Sequence, residues 1–320
     1  MADSSSLVQV ALNELKINQK QLADLLDVST GQISRWKNHN DYMSMALDKK
    51  LVELCGLGNI PANFVLLTGS LNNARKWEKA IRLCAEIAEQ DNESGYECYP
   101  LVDFDDLGIL FDLALVLTEL GVVFPEEVPD PINEIFENVD LDDETWECFH
   151  ELEQIDLISA LFSVYTDLIG FNSAYISELS DLDDIELMEL TMEIEACYLH
   201  LAACKLEVNS QVAPNFEAHK MEWTRWYKQK LVELKKAAVE ANSPLREELL
   251  SLVNDEAGEI SSAAERQALG LNDAALHPDI YMNELLVGMR AIHQVLPAIL
   301  QKLGIDPKKF QIDQSEFHNN

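Results

Sequence analysis

Glu147 and His150 have a spacing that can support metal chemistry. A glutamate three residues before a histidine, both on one helix, is the pair that supplies iron ligands in di-iron helical bundles. That chemistry needs a second such pair and two further glutamates. No other histidine of this 320-residue chain follows a glutamate by three residues. We therefore expect no di-iron centre.

Three aspartate-rich strings are a second candidate for metal chemistry. They are DFDD at 103–106, DLDD at 140–143 and DLDD at 181–184, and paired carboxylates of this kind can hold Mg²⁺ or Ca²⁺. Each string directly precedes a segment with helical apolar spacing, where aspartates accept hydrogen bonds from free N–H groups and favour the positive helix end. We predict helix caps there, not metal sites. The strings recur at intervals typical of helical repeats, but the apolar positions between them do not superpose.

The other histidines and the cysteines show no ligand spacing. We interpret His200, His219, His277 and His293 as ordinary core or surface residues. The chain has no phosphate-binding glycine loop, nucleophile elbow or Cys/His dyad. Without a CxxC pair, the cysteines indicate small core residues in a reducing compartment. The six are Cys55, Cys84, Cys98, Cys148, Cys197 and Cys204. We predict no metal, no cofactor and no enzymatic activity.

Residues 28–38, VSTGQISRWKN, carry a different kind of chemistry. Their spacing predicts one short helix. Ser29 is suited to cap it, and Ile33 and Trp36 are expected to face inward. The other positions are small, polar or basic. Further helices must hold this one in place, and Asn18 is suited to cap the helix before it, with Asp27 in the intervening turn. The predicted helices are 5–15, 19–26, one after Ser29, 44–54 and one at Pro61.

These first 70 residues resemble the Cro/CI-type (XRE-like) helix-turn-helix family, through the register I-N-Q-K-Q-L-A…V-S-T-G-Q-I-S-R-W-K-N. The resemblance implies a five-helix DNA-binding domain whose third helix approaches base edges. It implies guanine reading by Arg35 and phosphate contact by Gln19. The DNA-binding residues that it implies are Gln19, Ser29, Thr30, Gly31, Gln32, Arg35, Lys37 and Asn38.

The segment departs from the family at three positions. Asp27 replaces the usual turn glycine, and Lys37 replaces the usual acidic residue after the recognition helix. Gly31 offers no side chain where the family often has a reader, which lowers the expected base specificity. The alternative to DNA binding is a helix-turn-helix that serves only packing or dimerisation.

Charge divides the chain unevenly. Residues 1–82 contain ten Lys or Arg and eight Asp or Glu, a net charge of +2, so the net charge of −34 for the whole chain leaves −36 for the rest. Residues 83–204 contain 32 acidic residues and no Lys or Arg. Such asymmetry indicates two bodies with different roles.

We predict an all-α fold with three parts: the domain at 1–70, a connecting helix and linker at 71–92, and an acidic all-helical effector or oligomerisation domain at 93–320. A sub-boundary is expected near 211–215. Residues 220–236 are basic and aromatic, and their apolar stripe favours core packing over base stacking. Helices are predicted at 107–120, 131–136, 145–169, 176–179, 185–206, 216–241, 245–252, 263–269 and 279–303.

Three functions for the acidity remain open. It can keep a DNA-binding regulator soluble and oriented, imitate DNA to capture a basic protein partner, or bind a cationic ligand. We expect a DNA-binding transcriptional regulator that acts as a homodimer on double-stranded DNA, and as the alternative an acidic protein-interaction module or DNA mimic. The N-terminus lacks a basic segment before its apolar residues, and Asp112 and Glu119 interrupt the most apolar run. We therefore expect a cytoplasmic protein with no membrane contact.

Overall fold

A computed structural model describes residues 4–39, 41–91, 108–137, 143–180, 185–240, 292, 295–296 and 299–304. Within residues 4–240 of this described part there are thirteen α-helices and no strand, which confirms the all-α prediction there. They are α1 (Ser4–Glu14), α2 (Gln19–Leu26), α3 (Thr30–Lys37), α4 (Met45–Cys55), α5 (Ala62–Thr68), α6 (Leu71–Gln90), α7 (Gly108–Leu120), α8 (Asp130–Glu137), α9 (Asp143–His150), α10 (Glu153–Ser180), α11 (Ile185–Glu195), α12 (Tyr198–Lys205) and α13 (Phe216–Glu240).

Helices α1 to α5 form the N-terminal bundle at the positions that periodicity and caps predict. Helix α1 packs against α3, α4 and α5, and α2 packs against α3. Leu7, Leu22 and Ile33 are buried between them. The serine hydroxyls of α1 fasten the bundle further: Ser5 Oγ donates to the Lys37 carbonyl at 2.7 Å, and Ser4 Oγ accepts from the Met43 N–H at 2.9 Å.

Helix α6 is part of the core. It packs against α5, α8 and α10, and its buried face runs from Leu71 through Trp77 to Ala88. Phe124 fills the space between the bundle and α6, with its ring edge-on to Trp77 at 4.7 Å and to Phe64 of α5 at 6.4 Å. The N-terminal bundle is therefore packed through α5 and α6 onto the helices that follow. The predicted boundaries at residues 70 and 92 stay a prediction.

Helices α10 to α13 pack against one another, whereas α8 packs against α6 and α9, and α7 packs against α5, α12 and α13. Helix α10 contacts α6, α9, α11 and α12, and α12 also contacts α7 and α13. The predictions of single helices at 145–169 and 185–206 are wrong: turns interrupt them at Glu151–Leu152 and at Ala196–Cys197. Neither turn contains Gly or Pro, so the sequence offers no breaker there. Conversely, α10 continues to Ser180 and includes the short helix predicted at 176–179.

Several predictions fall outside the described residues. These are the helices at 245–252 and 263–269, most of the one at 279–303, and the aspartate strings apart from Asp143, the first residue of α9. Among the described residues, no helix combines the length and apolar character that crossing a bilayer requires.

Candidate functional site

Reciprocal hydrogen bonds fix the start of α2 and the start of α3. Asn18 Oδ1 accepts from the Gln21 N–H at 3.0 Å, while Gln21 Oε1 accepts from the Asn18 N–H at 2.9 Å. Helix α2 then ends at Asp27, whose φ of 58° and ψ of 46° are left-handed. Asparagine and aspartate tolerate this conformation better than other residues with a Cβ. A second reciprocal pair starts α3, between Ser29 and Gln32. The predicted caps and turn are confirmed.

Burial orients α3. Ile33 and Trp36 are 0% and 3% exposed and pack towards the core of the bundle, as predicted. On the other side Thr30, Gly31 and Arg35 are exposed. Asn38, which follows the helix, and Ser29, which precedes it, are exposed too, whereas Gln19, Gln32 and Lys37 are half-buried. All eight residues that the family resemblance implies therefore lie at the surface.

Gln32 is less available than the sequence suggests. Its Oε1 accepts from the Ser29 N–H at 3.1 Å, so the side chain folds back onto the start of its own helix. Reading a base through this oxygen requires that bond to open. The sequence pattern Ser-x-x-Gln signals this cap, because a glutamine three residues after the N-cap reaches the free N–H there. We therefore infer that the main role of Gln32 is to position α3.

Among the described residues, the ion-pair partner of Arg35 is weakly held. Arg35 Nε lies 3.7 Å from Asp41 Oδ2, and the two side chains are 55% and 51% exposed. An exposed pair of this kind contributes about 0–1 kcal/mol. The guanidinium is therefore held near the α3 surface without being withdrawn from it, and a stronger acceptor can replace the carboxylate.

The sequence interpretation missed a second cluster, formed by Glu119, His200 and His219. These residues come from α7, α12 and α13. Glu119 Oε2 lies 3.4 Å from His200 Nδ1 and 3.1 Å from His219 Nδ1. Tertiary packing alone joins residues so distant in sequence, so no local spacing could have revealed them. His200 and His219 are buried, in agreement with their interpretation as core residues, while His277 and His293 lie outside the described residues.

The two histidines are neutral. Burial, together with neighbouring His219, lowers the pKa of His200 to about 3. Burial also lowers the pKa of His219, although the Glu119 carboxylate opposes that shift. Each ring therefore carries one proton and one free lone pair near pH 7.

His219 is poorly satisfied for so deep a position. Its side chain is 2% exposed, and neither ring nitrogen makes a hydrogen bond, because the approach of Nδ1 to Glu119 lacks hydrogen-bond geometry. A buried polar group left in this state costs about 1–3 kcal/mol. Trp223 closes the cluster: it stacks on His200 with ring centroids 3.8 Å apart, and its Nε1 donates to Glu119 Oε2 at 3.0 Å.

The other candidate residues named from the sequence lie in surroundings that indicate structural roles. Glu147 and His150 are both exposed on α9, where the His150 ring lies edge-on to Trp146 at 4.7 Å. Tyr227, Leu231 and Leu234 of α13 are buried, in agreement with core packing. Among the cysteines, Cys55, Cys84 and Cys204 are buried as predicted, Cys148 is exposed and Cys197 is half-buried. Cys98 lies outside the described residues.

No protein-family model, curated protein or solved structure matches the chain.

Proposed function

We propose that this protein is a sequence-specific DNA-binding regulator. In this proposal α2 and α3 form the helix-turn-helix, α3 enters the major groove, and the acidic helical body serves as effector or oligomerisation domain. The observation that carries the proposal is the two-sided α3, with Ile33 and Trp36 buried and Thr30, Gly31 and Arg35 exposed on the outside. A recognition helix needs this division, because one face must be fixed while the other meets base edges.

The glycine at position 31 also supports this role. A Cβ built there has only Ser29 Oγ within 4 Å, at 3.8 Å, so packing within the protein does not require glycine. A backbone without a side chain can approach another surface closely. Against a duplex, Gly31 would bring the start of α3 nearer to the bases.

Five surface side chains have roles in the proposed complex. Arg35 pairs with guanine, the contact for which two parallel N–H donors are best suited. Thr30 reads a neighbouring base edge. Contacts to phosphates come from Gln19, Lys37 and Asn38, and these set the position of the protein on the duplex without reading sequence.

Net charge does not forbid this binding. Interactions between exposed charges are screened over about 8 Å at physiological ionic strength. An acidic body that stays clear of the duplex by more than this distance repels it weakly. One short recognition helix gives limited affinity, so we propose a homodimer that places two copies of α3 on a two-fold site.

A second candidate function is supported by the 122-residue stretch 83–204, which has 32 acidic residues and no Lys or Arg. Ordinary surfaces mix both signs of charge. A surface of carboxylates alone resembles the phosphate array of DNA and can attract a basic protein. In this alternative α3 serves packing or autoregulation.

Selection from a random duplex library with the intact chain tests the proposal, followed by affinity measurements on the selected site. We expect Arg35→Ala to weaken binding by about 1–3 kcal/mol, which is roughly fivefold to 150-fold. Arg225→Ala is the matched control, because Arg225 is exposed on α13, which packs against α7, α11 and α12. It removes the same charge far from α3 in the chain and should change affinity little.

Two results would count against the regulator. Equal losses in the Arg35 and Arg225 variants would show that only bulk charge matters. Failure of the intact chain to bind any duplex at low salt, together with stoichiometric capture of a basic DNA-binding protein, would favour the second candidate.

A further inference from the structure

Three side chains from three helices converge at the end of α7. The imidazoles of His200 and His219 face one carboxylate oxygen of Glu119, and ligand atoms of the three residues lie within 4.8 Å of one another. In a tetrahedral Zn²⁺ site, ligands about 2.0–2.1 Å from the ion lie about 3.3 Å apart. The two nitrogen–oxygen distances in the cluster, 3.4 Å and 3.1 Å, match that edge.

His219 gives a second, independent indication of a ligand. Its side chain is 2% exposed, yet both ring nitrogens lack a hydrogen-bond partner. His200 Nδ1 is also buried without one. Native proteins pair almost all buried polar atoms, and a buried imidazole without a partner calls for an explanation. A metal ion that accepts an imidazole lone pair satisfies such a nitrogen.

A simple glutamate–histidine hydrogen bond explains the cluster less well. Glu119 Oε2 already accepts from Trp223 Nε1 at 3.0 Å. The approach of His200 and His219 to the same oxygen leaves their Nδ1 atoms without hydrogen-bond geometry. The convergence of two imidazole nitrogens on one carboxylate oxygen fits a shared cation between them.

We propose that Glu119, His200 and His219 form a binding site for a divalent transition-metal ion of the Zn²⁺ class. Two nitrogen ligands and one oxygen ligand suit Zn²⁺, whereas Mg²⁺ and Ca²⁺ take oxygen ligands. Three protein ligands leave one position for water or an exogenous ligand. Glu119 is 48% exposed, which gives the ion a path from solvent.

The surroundings are suited to hold these ligands. Trp223 stacks on the His200 ring and donates to Glu119, so it orients two of the three ligands. The end of α7 is fastened to the start of α13, because the Asn215 N–H donates to the Leu120 carbonyl at 3.0 Å. The ion therefore connects α7, α12 and α13 at a place where the backbone already joins two of them.

Metal titration of the intact, chelator-treated protein tests this site. We expect one equivalent of Zn²⁺ at micromolar concentration, no competition by millimolar Mg²⁺, and visible absorption bands of tetrahedral Co²⁺ when cobalt replaces zinc. Glu119→Gln keeps the side-chain shape and an oxygen for Trp223, so the fold should be retained. It should weaken Zn²⁺ binding by at least about tenfold.

Glu126→Gln is the matched control, because Glu126 is an exposed carboxylate in the loop after α7. It should leave the Zn²⁺ affinity unchanged, and His150→Gln, at an exposed histidine of α9, should do so too. Zinc binding that is absent, or that is equal in the wild-type and Glu119→Gln chains, would overturn the site. Equal weakening in both glutamate variants would overturn it as well, since that result indicates loose attraction to the acidic surface. The outcome does not depend on DNA binding.

Discussion

Gly31, Gly69 and Gly121 differ in what a side chain would meet, and this difference sets the effect of an alanine at each position. Gly31 lies in α3, where an added Cβ would make one ordinary contact, with Ser29 Oγ at 3.8 Å. Gly69 has a φ of 83° and no atom near its Cβ position, whereas Gly121 combines a φ of 77° with Asn215 Nδ2 only 2.8 Å from that position. The three positions thus separate helix propensity, backbone strain and steric contact.

We expect Gly31→Ala to raise the free energy of unfolding by about 0.5–1 kcal/mol, the usual advantage of alanine in a helix. Gly69→Ala should lower it by about 1–2 kcal/mol, because a Cβ disfavours the left-handed region. Gly121→Ala should lower it further, since the new methyl group also meets the side chain of Asn215 and, at 3.0 Å, Pro214 Cγ. Urea unfolding of the three variants measures these values.

Equal losses at Gly69 and Gly121 would show that the end of α7 is less tightly packed than described. Gly31→Ala also has a functional consequence. If this glycine allows close approach to a duplex, the variant is more stable and binds the selected DNA more weakly. Increased stability with unchanged affinity would contradict the close approach.

Among the elements, the two capped helices of the proposed recognition unit permit a matched comparison. Asn18 and Ser29 accept hydrogen bonds from the N–H groups of α2 and α3, whereas Ser44 precedes α4 without a side-chain cap bond. We expect Asn18→Ala and Ser29→Ala each to lower the free energy of unfolding by about 1 kcal/mol. Ser44→Ala should change it by a few tenths. Thermal or urea unfolding distinguishes these outcomes, and a loss at Ser44 equal to the others would contradict the assigned caps.

The same elements show what local sequence predicts well. Helices α1 to α5 lie within about two residues of their predicted positions, because caps, apolar period and turn residues agree there. The turns at Glu151–Leu152 and Ala196–Cys197 lack such signals. Tertiary packing determines where these two turns occur: α9 and α10 pack against each other, and α12 packs against α7, α10 and α13.

The two candidate sites divide in the same way. The exposed face of α3 is local, so the spacing of Ile33 and Trp36 already identifies it. Glu119, His200 and His219 meet only after α7, α12 and α13 have packed. Gln32 is an intermediate case. The sequence carries its capping signal, but the same residue also fits a base-reading role.

At the scale of the whole molecule, a nearly neutral N-terminal bundle is joined to an acidic body through a continuous apolar contact. Phe124 lies between Phe64 of α5 and Trp77 of α6, and the side chain of Asn63 donates to the Phe111 carbonyl at 2.9 Å. The bundle therefore keeps a fixed direction relative to α6 and α7.

Photo-crosslinking of the intact chain to the selected duplex tests directly whether α3 lies against DNA. Asn38→Cys places a thiol at the exposed end of α3, and the unmodified chain, which carries an exposed thiol at Cys148 of α9, is the control. Both proteins are labelled with the same thiol-reactive crosslinker. We expect covalent protein–DNA products from the Asn38→Cys chain in excess of those from the control. Equal yields from the two proteins, or bound duplex with no additional product from position 38, would contradict the placement of α3 on DNA.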